Sequence, residues 1–127
     1  MSEAKKSILI VDDSKVVLSV HSFVLKGAGY ACETAENGFE ALEKLMLKGY
    51  DLVLTDVNMP KMDGYELLHK LRALPSYASV PVIMISTEQE SVDKNRGLEA
   101  GANLYIVKPT QPEALVANVK MLLASGG

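Results

Sequence analysis

The stretch Ser7-Ile8-Leu9-Ile10-Val11-Asp12-Asp13, SILIVDD, decides how this chain reads. A short, β-branched apolar run reads as a strand covered on both faces, and it stops at two adjacent carboxylates. The same form recurs along the chain. Residues 51–57 (DLVLTDV) carry Asp56 near their end, residues 81–86 (PVIMIS) end in Ser86, and residues 103–107 (NLYIV) run into Lys108. Residues 30–34 (YACET) are a weaker run and read as an edge strand. Helix-period stripes separate these runs: Val16, Val17, Val20 and Val24; Leu42, Leu45 and Met46; Leu67, Leu68, Leu71 and Leu74; Leu115, Val119, Leu122 and Leu123. Strands alternating with helices predict an α/β fold, a parallel sheet with helices on both faces, each stripe turned toward the sheet.

Punctuation agrees with these limits. Gly27 and Gly29 can end the first helix, Asn37 can cap the second and Gly49 can close it. Thr87 with Glu90, and Thr110 with Glu113, have the spacing of capping boxes. The fourth helical stretch, residues 88–100, has Val92 and Leu98 as almost its only large apolar side chains, which predicts a loosely held element.

Composition narrows the function classes. The chain has 127 residues, 48% hydrophobic and 23% charged, enough apolar content for one domain spanning residues 1–127. The first apolar run halts at Asp12, so neither a secretory signal nor a membrane span is expected, and a cytoplasmic protein is. Cys32 is the single cysteine, which excludes an internal disulfide and a multi-cysteine metal cage; it reads as a buried strand residue. A net charge of -3 without a Lys/Arg block predicts no direct binding of nucleic acid.

In an open parallel sheet, function gathers at the carboxyl ends of the strands. Asp12, Asp13, Asp56, Ser86 and Lys108 should therefore converge on one rim. Each has a plainer reading alone: Asp12 or Asp13 could cap the following helix, Ser86 could be a turn residue, and Lys108 a solvated surface charge. Asp56 sits in a central strand, where an unpaired charge is costly. Three carboxylates facing one ammonium repel one another, and a hard divalent cation bound through oxygen, Mg2+, relieves that repulsion. A carboxylate beside Mg2+ with an ammonium and a hydroxyl opposite suits attack on phosphorus: Asp56 as nucleophile, Lys108 and Ser86 on the phosphoryl oxygens. Other chemistries fail. No phosphate-cradling glycine loop follows a strand, and a calcium loop starting at Asp56 would place Lys61 at its glycine position and Leu67 at its glutamate position. His21 and His69 fall on opposite sides of the sheet and read as surface residues.

The segments ILIVDD, LTDVNMPKMDG, PVIMIS and GANLYIVKP, in that order, resemble the receiver domain of two-component response regulators over essentially the full chain, closest in character to single-domain chemotaxis-type regulators. The resemblance implies a flavodoxin-like fold with five helices and strand order 2-1-3-4-5. It implies Asp12 and Asp13 as the metal acids, Asp56 as phosphoacceptor and metal ligand, and the backbone carbonyl of Asn58 completing the Mg2+ shell. Ser86 and Lys108 look like the family's hydroxyl and lysine, Tyr105 like its switch aromatic, turning inward after phosphorylation. A cis Lys108-Pro109 peptide is implied too. Asn58 and Glu88 stand where polar side chains tune hydrolysis of the phosphate, which predicts a short-lived phosphoform. The implied donor is a histidine kinase or phosphotransfer protein docking on the first helix. The implied output is a downstream target binding the surface of the fourth helical stretch, fifth strand and last helix, with no enzymatic activity beyond self-phosphorylation and dephosphorylation. Two other classes stand beside this reading: a receiver cut from a larger regulator, and a flavin carrier, for which a phosphate loop and flanking aromatics are lacking.

Overall fold

Five parallel strands take the order β2-β1-β3-β4-β5 in a computed structural model whose described residues are 5–87, 95–96, 98–108 and 110–125. The strands are β1 Ser7–Val11, β2 Ala31–Ala35, β3 Leu52–Asp56, β4 Val82–Ser86 and β5 Leu104–Val107. The helices among the described residues are α1 Lys15–Gly27, α2 Gly38–Leu47, α3 Gly64–Arg72 and a C-terminal helix Pro112–Ser125, with a short 3-10 turn at Pro75–Tyr77. The expected flavodoxin-like order stands. Of the expected fourth helical stretch, the described part ends in a helical turn: the Ala100 N–H donates to the Arg96 carbonyl (3.0 Å) and the Gly101 N–H to that of Leu98 (3.1 Å). Glu88, Glu90 and Val92, and the peptide to Pro109, lie outside the described residues.

Side chains alternate across the sheet with the period of two that a strand imposes. Ile8, Ile10, Leu52, Leu54, Ile83 and Ile85 pack under α1 and the C-terminal helix, through Leu18, Leu25, Leu115 and Val119. Leu9, Val11, Val53, Val82, Met84 and Tyr105 pack on the other face against Leu45, Leu67, Leu68 and Leu71 of α2 and α3. Full burial of one such aliphatic side chain is worth about 1.5–3 kcal/mol, so two complete layers hold the strand ends firmly in register.

Several sequence expectations shift here. Val16 and Val20 point outward, 73% and 52% exposed, and Leu18 and Leu25 are buried in their place. The cause is the start of α1: Ser14, not an aspartate, is the N-cap, its Oγ accepting from the Val17 N–H (3.3 Å), and that start sets which side of the helix meets the sheet. Met46 is also outward on α2, 73% exposed. Asn37 does cap α2, accepting from the Glu40 N–H (2.8 Å). The C-terminal helix begins at Pro112, with the Gln111 carbonyl accepting its first bond from Leu115; proline is preorganised for a first helical position, so Thr110 precedes the cap. Cys32, expected to be buried, is partly exposed on β2.

β2 is an edge, and its rim is guarded. The Lys44 ammonium donates to the outward carbonyl of Thr34, and the Lys48 ammonium pairs with Glu33, which also accepts from the Tyr50 hydroxyl (2.9 Å). At the amino ends of β4 and β5, the Arg72 guanidinium donates to the carbonyls of Tyr77 (2.9 Å), Val80 (2.6 Å) and Gly101 (2.7 Å) and to Asn103 Oδ1 (3.0 Å).

Candidate phosphoacceptor site

The junction after β1 brings the first acids to the rim. Asp12 is 3% exposed and its Oδ1 accepts from the Ser14 N–H (2.9 Å), so it braces the start of α1 without capping it. Because Ser14 serves as cap, both aspartates remain available to the site. Asp56 ends β3 and is 7% exposed; Asp13 is exposed. One carboxylate oxygen from each of Asp12, Asp13 and Asp56 lies within 4.8 Å of the others. Lys108, in the residue after β5, lies 3.1 Å from Asp12 Oδ2 and 3.6 Å from Asp56 Oδ2. Ser86 ends β4 fully buried, and its carbonyl accepts from the Lys108 N–H (2.7 Å), which sets the end of β4 beside the residue that follows β5.

Electrostatics follow from this crowding. Burial first, then the Asp12 charge, push the Asp56 carboxyl above the usual carboxylate range; Lys108 and the backbone N–H groups of Asn58 and Val57 pull the other way. The carboxylate is thus held at a raised free energy as an anion, with hard oxygen donors on one side, a donor set that fits Mg2+.

Close backbone approach builds the floor. A Cβ on Gly64 would sit 2.4 Å from the Asp56 carbonyl oxygen and 2.9 Å from the Val57 Cα, so α3 begins against the Asp56 peptide. Asp63 caps α3 by accepting from the Glu66 N–H (2.9 Å), and the Gly64 N–H donates to the Val57 carbonyl (2.8 Å). Lys61 holds φ +70° in the loop between, a strained value for a residue with a Cβ.

The sequence-predicted residues come together in part. Asp12, Asp13, Asp56, Ser86 and Lys108 share the rim; Asn58 is exposed in the loop just after β3; Glu88 lies outside the described residues. Tyr105 is 7% exposed, and its hydroxyl is enclosed without a hydrogen-bond partner among the described residues. Its ring lies inward, in the position that the resemblance implied only after phosphorylation. His21 departs from its surface reading. It is half-buried and faces a groove of about 410 Å³ with Val16, Val17, Val20, Thr87, Lys108 and Thr110. Burial lowers its pKa most; Asp12 raises it and Lys108 lowers it. The signal was present: His21 stands four residues after Val17 and four before Leu25, on the inward side of α1. His69 is exposed, as expected.

The sheet has this order, with acids just after β1 and at the end of β3 and a lysine after β5, and the chain belongs to the response regulator receiver domains, whose family pattern matches residues 8–120. Among solved structures, the Vibrio cholerae chemotaxis protein CheY4 superposes with a TM-score of 0.90 at 37% identity, covering 94% of this chain and 99% of that one. A CheY-like receiver domain protein from Methanospirillum hungatei does so with a TM-score of 0.90 at 34% identity, covering 96% of each. Among curated relatives, the Myxococcus xanthus gliding motility regulatory protein is 44% identical over 80% of this chain, and the Bacillus subtilis alkaline phosphatase synthesis transcriptional regulatory protein PhoP 38% over 93%. The chain spans 13% of the first and 48% of the second. It is a phosphorylation-dependent switch domain of two-component signalling. Receiver domains are phosphorylated on aspartate, use Mg2+ at an acidic cluster, and interact with histidine kinases or phosphotransfer proteins and with downstream targets. Among the described residues, no helix is long and apolar enough to cross a membrane.

Proposed function

We propose that residues 1–127 act as a single receiver that takes a phosphoryl group onto Asp56 and alters partner binding in response. The observation that carries this reading is the raised, buried carboxylate of Asp56, 3.6 Å from the Lys108 ammonium and grouped with Asp12 and Asp13. Asp12, Asp13, Asp56 and the Asn58 carbonyl would hold Mg2+, which when bound supplies positive charge to offset the developing phosphoryl charge. An Asp56 carboxylate oxygen attacks phosphorus of a phosphohistidine; the P–O bond forms as the P–N bond breaks, and its electron pair leaves with the imidazole. Lys108 and Ser86 then bind the phosphoryl oxygens, and Asn58 with Glu88 orients the water that later hydrolyses the acyl phosphate. Tyr105 reports the change by its ring position to the surface around β5. The donor, a histidine kinase or phosphotransfer protein, docks along α1, where Val16, Val20 and Phe23 are 73%, 52% and 79% exposed beside the groove that reaches Lys108.

The test is incubation with Mg2+ and acetyl phosphate followed by intact-mass measurement. A phosphate-sized gain on wild type, absent from Asp56→Asn and decaying within minutes to hours, supports the reading. No gain on wild type, or an equal gain on Asp56→Asn, sinks it.

A further inference from the structure

Thr55, in the middle of β3, puts a hydroxyl into an otherwise apolar layer of the sheet. It is fully buried, and its neighbours in register are Val11 of β1 and Met84 of β4, both in the layer that packs on α2 and α3. Valine has nearly the same shape and would fill that place with no hydroxyl to desolvate. The hydroxyl has a partner: Thr55 Oγ1 donates to the Asp56 carbonyl oxygen (3.0 Å). Side chains alternate along a strand, so Thr55 and Asp56 face opposite sides of the sheet, and the hydroxyl reaches the Asp56 carboxylate only through the backbone. That route is short. The Asp56 carbonyl and the Val57 N–H belong to one planar peptide unit. Its N–H end donates to the Ile85 carbonyl (3.0 Å) and also faces the Asp56 carboxylate, which it and the Asn58 N–H favour as an anion against burial and the Asp12 charge. Its carbonyl end abuts the start of α3, where a Cβ on Gly64 would come within 2.4 Å. Thr55 thus holds one end of the peptide whose other end faces the acid. A hydrogen bond to a carbonyl also polarises the amide, which makes its N–H a stronger donor.

We propose that Thr55 is a positioning residue for phosphoryl transfer, its hydroxyl holding the Asp56–Val57 peptide so that the Val57 N–H stays aimed at the Asp56 carboxylate. This deepens the reading of Asp56 as the phosphoacceptor and rests on it. As an Asp56 oxygen attacks phosphorus, negative charge shifts onto the phosphoryl oxygens beside it, and an N–H dipole already fixed at that place stabilises the change without first having to turn. Without the hydroxyl the peptide tilts, and the donor must be aimed again for each transfer. Thr55 touches neither the phosphoryl group nor the acids that would hold Mg2+; it acts through the peptide alone.

The test compares Thr55→Val, Thr55→Ala and Thr55→Ser on the full chain, with Mg2+ and acetyl phosphate, by intact mass followed over time. Thr55→Val and Thr55→Ala slow labelling about 3–10-fold, the size of one lost hydrogen bond, while Thr55→Ser, which keeps the donor, stays within about twofold of wild type. Melting temperatures separate this from packing: Thr55→Ala leaves the largest void and melts lowest, whereas the order of labelling rates follows the hydroxyl. The amide proton of Val57, read by NMR on the free protein, moves upfield in Thr55→Val and Thr55→Ala and keeps its wild-type position in Thr55→Ser. Wild-type labelling in Thr55→Val, a Thr55→Ser as slow as Thr55→Ala, or an unmoved Val57 amide overturns the positioning role while leaving the phosphoacceptor reading intact. Failure of wild type to be labelled overturns both.

Discussion

The carbonyl oxygen of Asp56 lies where a Cβ on Gly64 would sit 2.4 Å away, so the first residue of α3 and the last of β3 are in backbone contact. Neither atom belongs to a flexible side chain that could yield. Gly64→Ala must therefore move α3 or the Asp56 peptide, an overpacking change costing about 1–3 kcal/mol. Thermal melts will show the loss of stability, and phosphorylation by acetyl phosphate will fall because the carboxylate is carried off its place beside Lys108. Wild-type melting and labelling in Gly64→Ala would contradict this contact.

The acid cluster makes a prediction about pH. Asp56 has a folded pKa above its ordinary 3.8, chiefly through burial and then Asp12. A raised folded pKa means that the protonated form favours folding: the contribution is complete below the unfolded pKa and is lost as pH climbs through the folded one. In EDTA, Asp56→Asn should stabilise the protein at neutral pH, and the gain should shrink on acidification toward pH 4. Added Mg2+ should raise the wild-type melting temperature and leave the variant nearly unmoved. Calorimetry across pH, with and without the cation, measures both.

His21 gives the opposite sign. Its pKa is depressed by burial, so its contribution to stability is present above the ordinary 6.5 and is lost as pH falls through the lower folded value. His21→Leu should remove that loss, so the two proteins' melting temperatures, compared from pH 7.5 down, should diverge in favour of the variant below about pH 6.5. Parallel curves would mean that the imidazole is not held neutral by its groove.

Tyr105 carries a hydroxyl enclosed without an acceptor among the described residues. An unpaired buried donor is a liability of about 1–3 kcal/mol, so Tyr105→Phe should fold at least as stably as wild type. Chemical denaturation decides; a clear loss of stability would reveal a partner for that hydroxyl.

Lys61 occupies the left-handed region at φ +70°. Lys61→Gly relieves strain of about 1–2 kcal/mol while loosening the unfolded chain by about 0.5–1 kcal/mol, for a net gain near 0.5–1 kcal/mol. The same denaturation series reads it, and Lys61→Ala, which keeps the strain, should show no gain.

Much of this molecule could be read from its residues because strand runs carry their own signal. SILIV, LVLTD and VIMIS are short, apolar and β-branched, and the acids and lysine at their ends converge once the sheet is parallel. Helix phase was less legible. In α1 the run Val16, Val17, Val20, Val24 fits an inward face as well as Leu18 and Leu25 do, and only the Ser14 cap and the demands of the sheet choose between them. For the same reason His21 was misread: its burial depends on that phase. The inward ring of Tyr105 depends on packing between elements far apart in the chain, which no local pattern encodes.

Lys44 leaves a consequence for how this protein behaves in company. By occupying the Thr34 carbonyl at the free border of the sheet, its ammonium denies other molecules a seam to zip onto. Neighbouring copies meet a charged stopper there, and crowding does not readily stitch them into fibrils. Thr34 is the penultimate residue of β2, so this stopper stands at the carboxyl end of the edge strand, the end of the sheet that also carries the acidic rim.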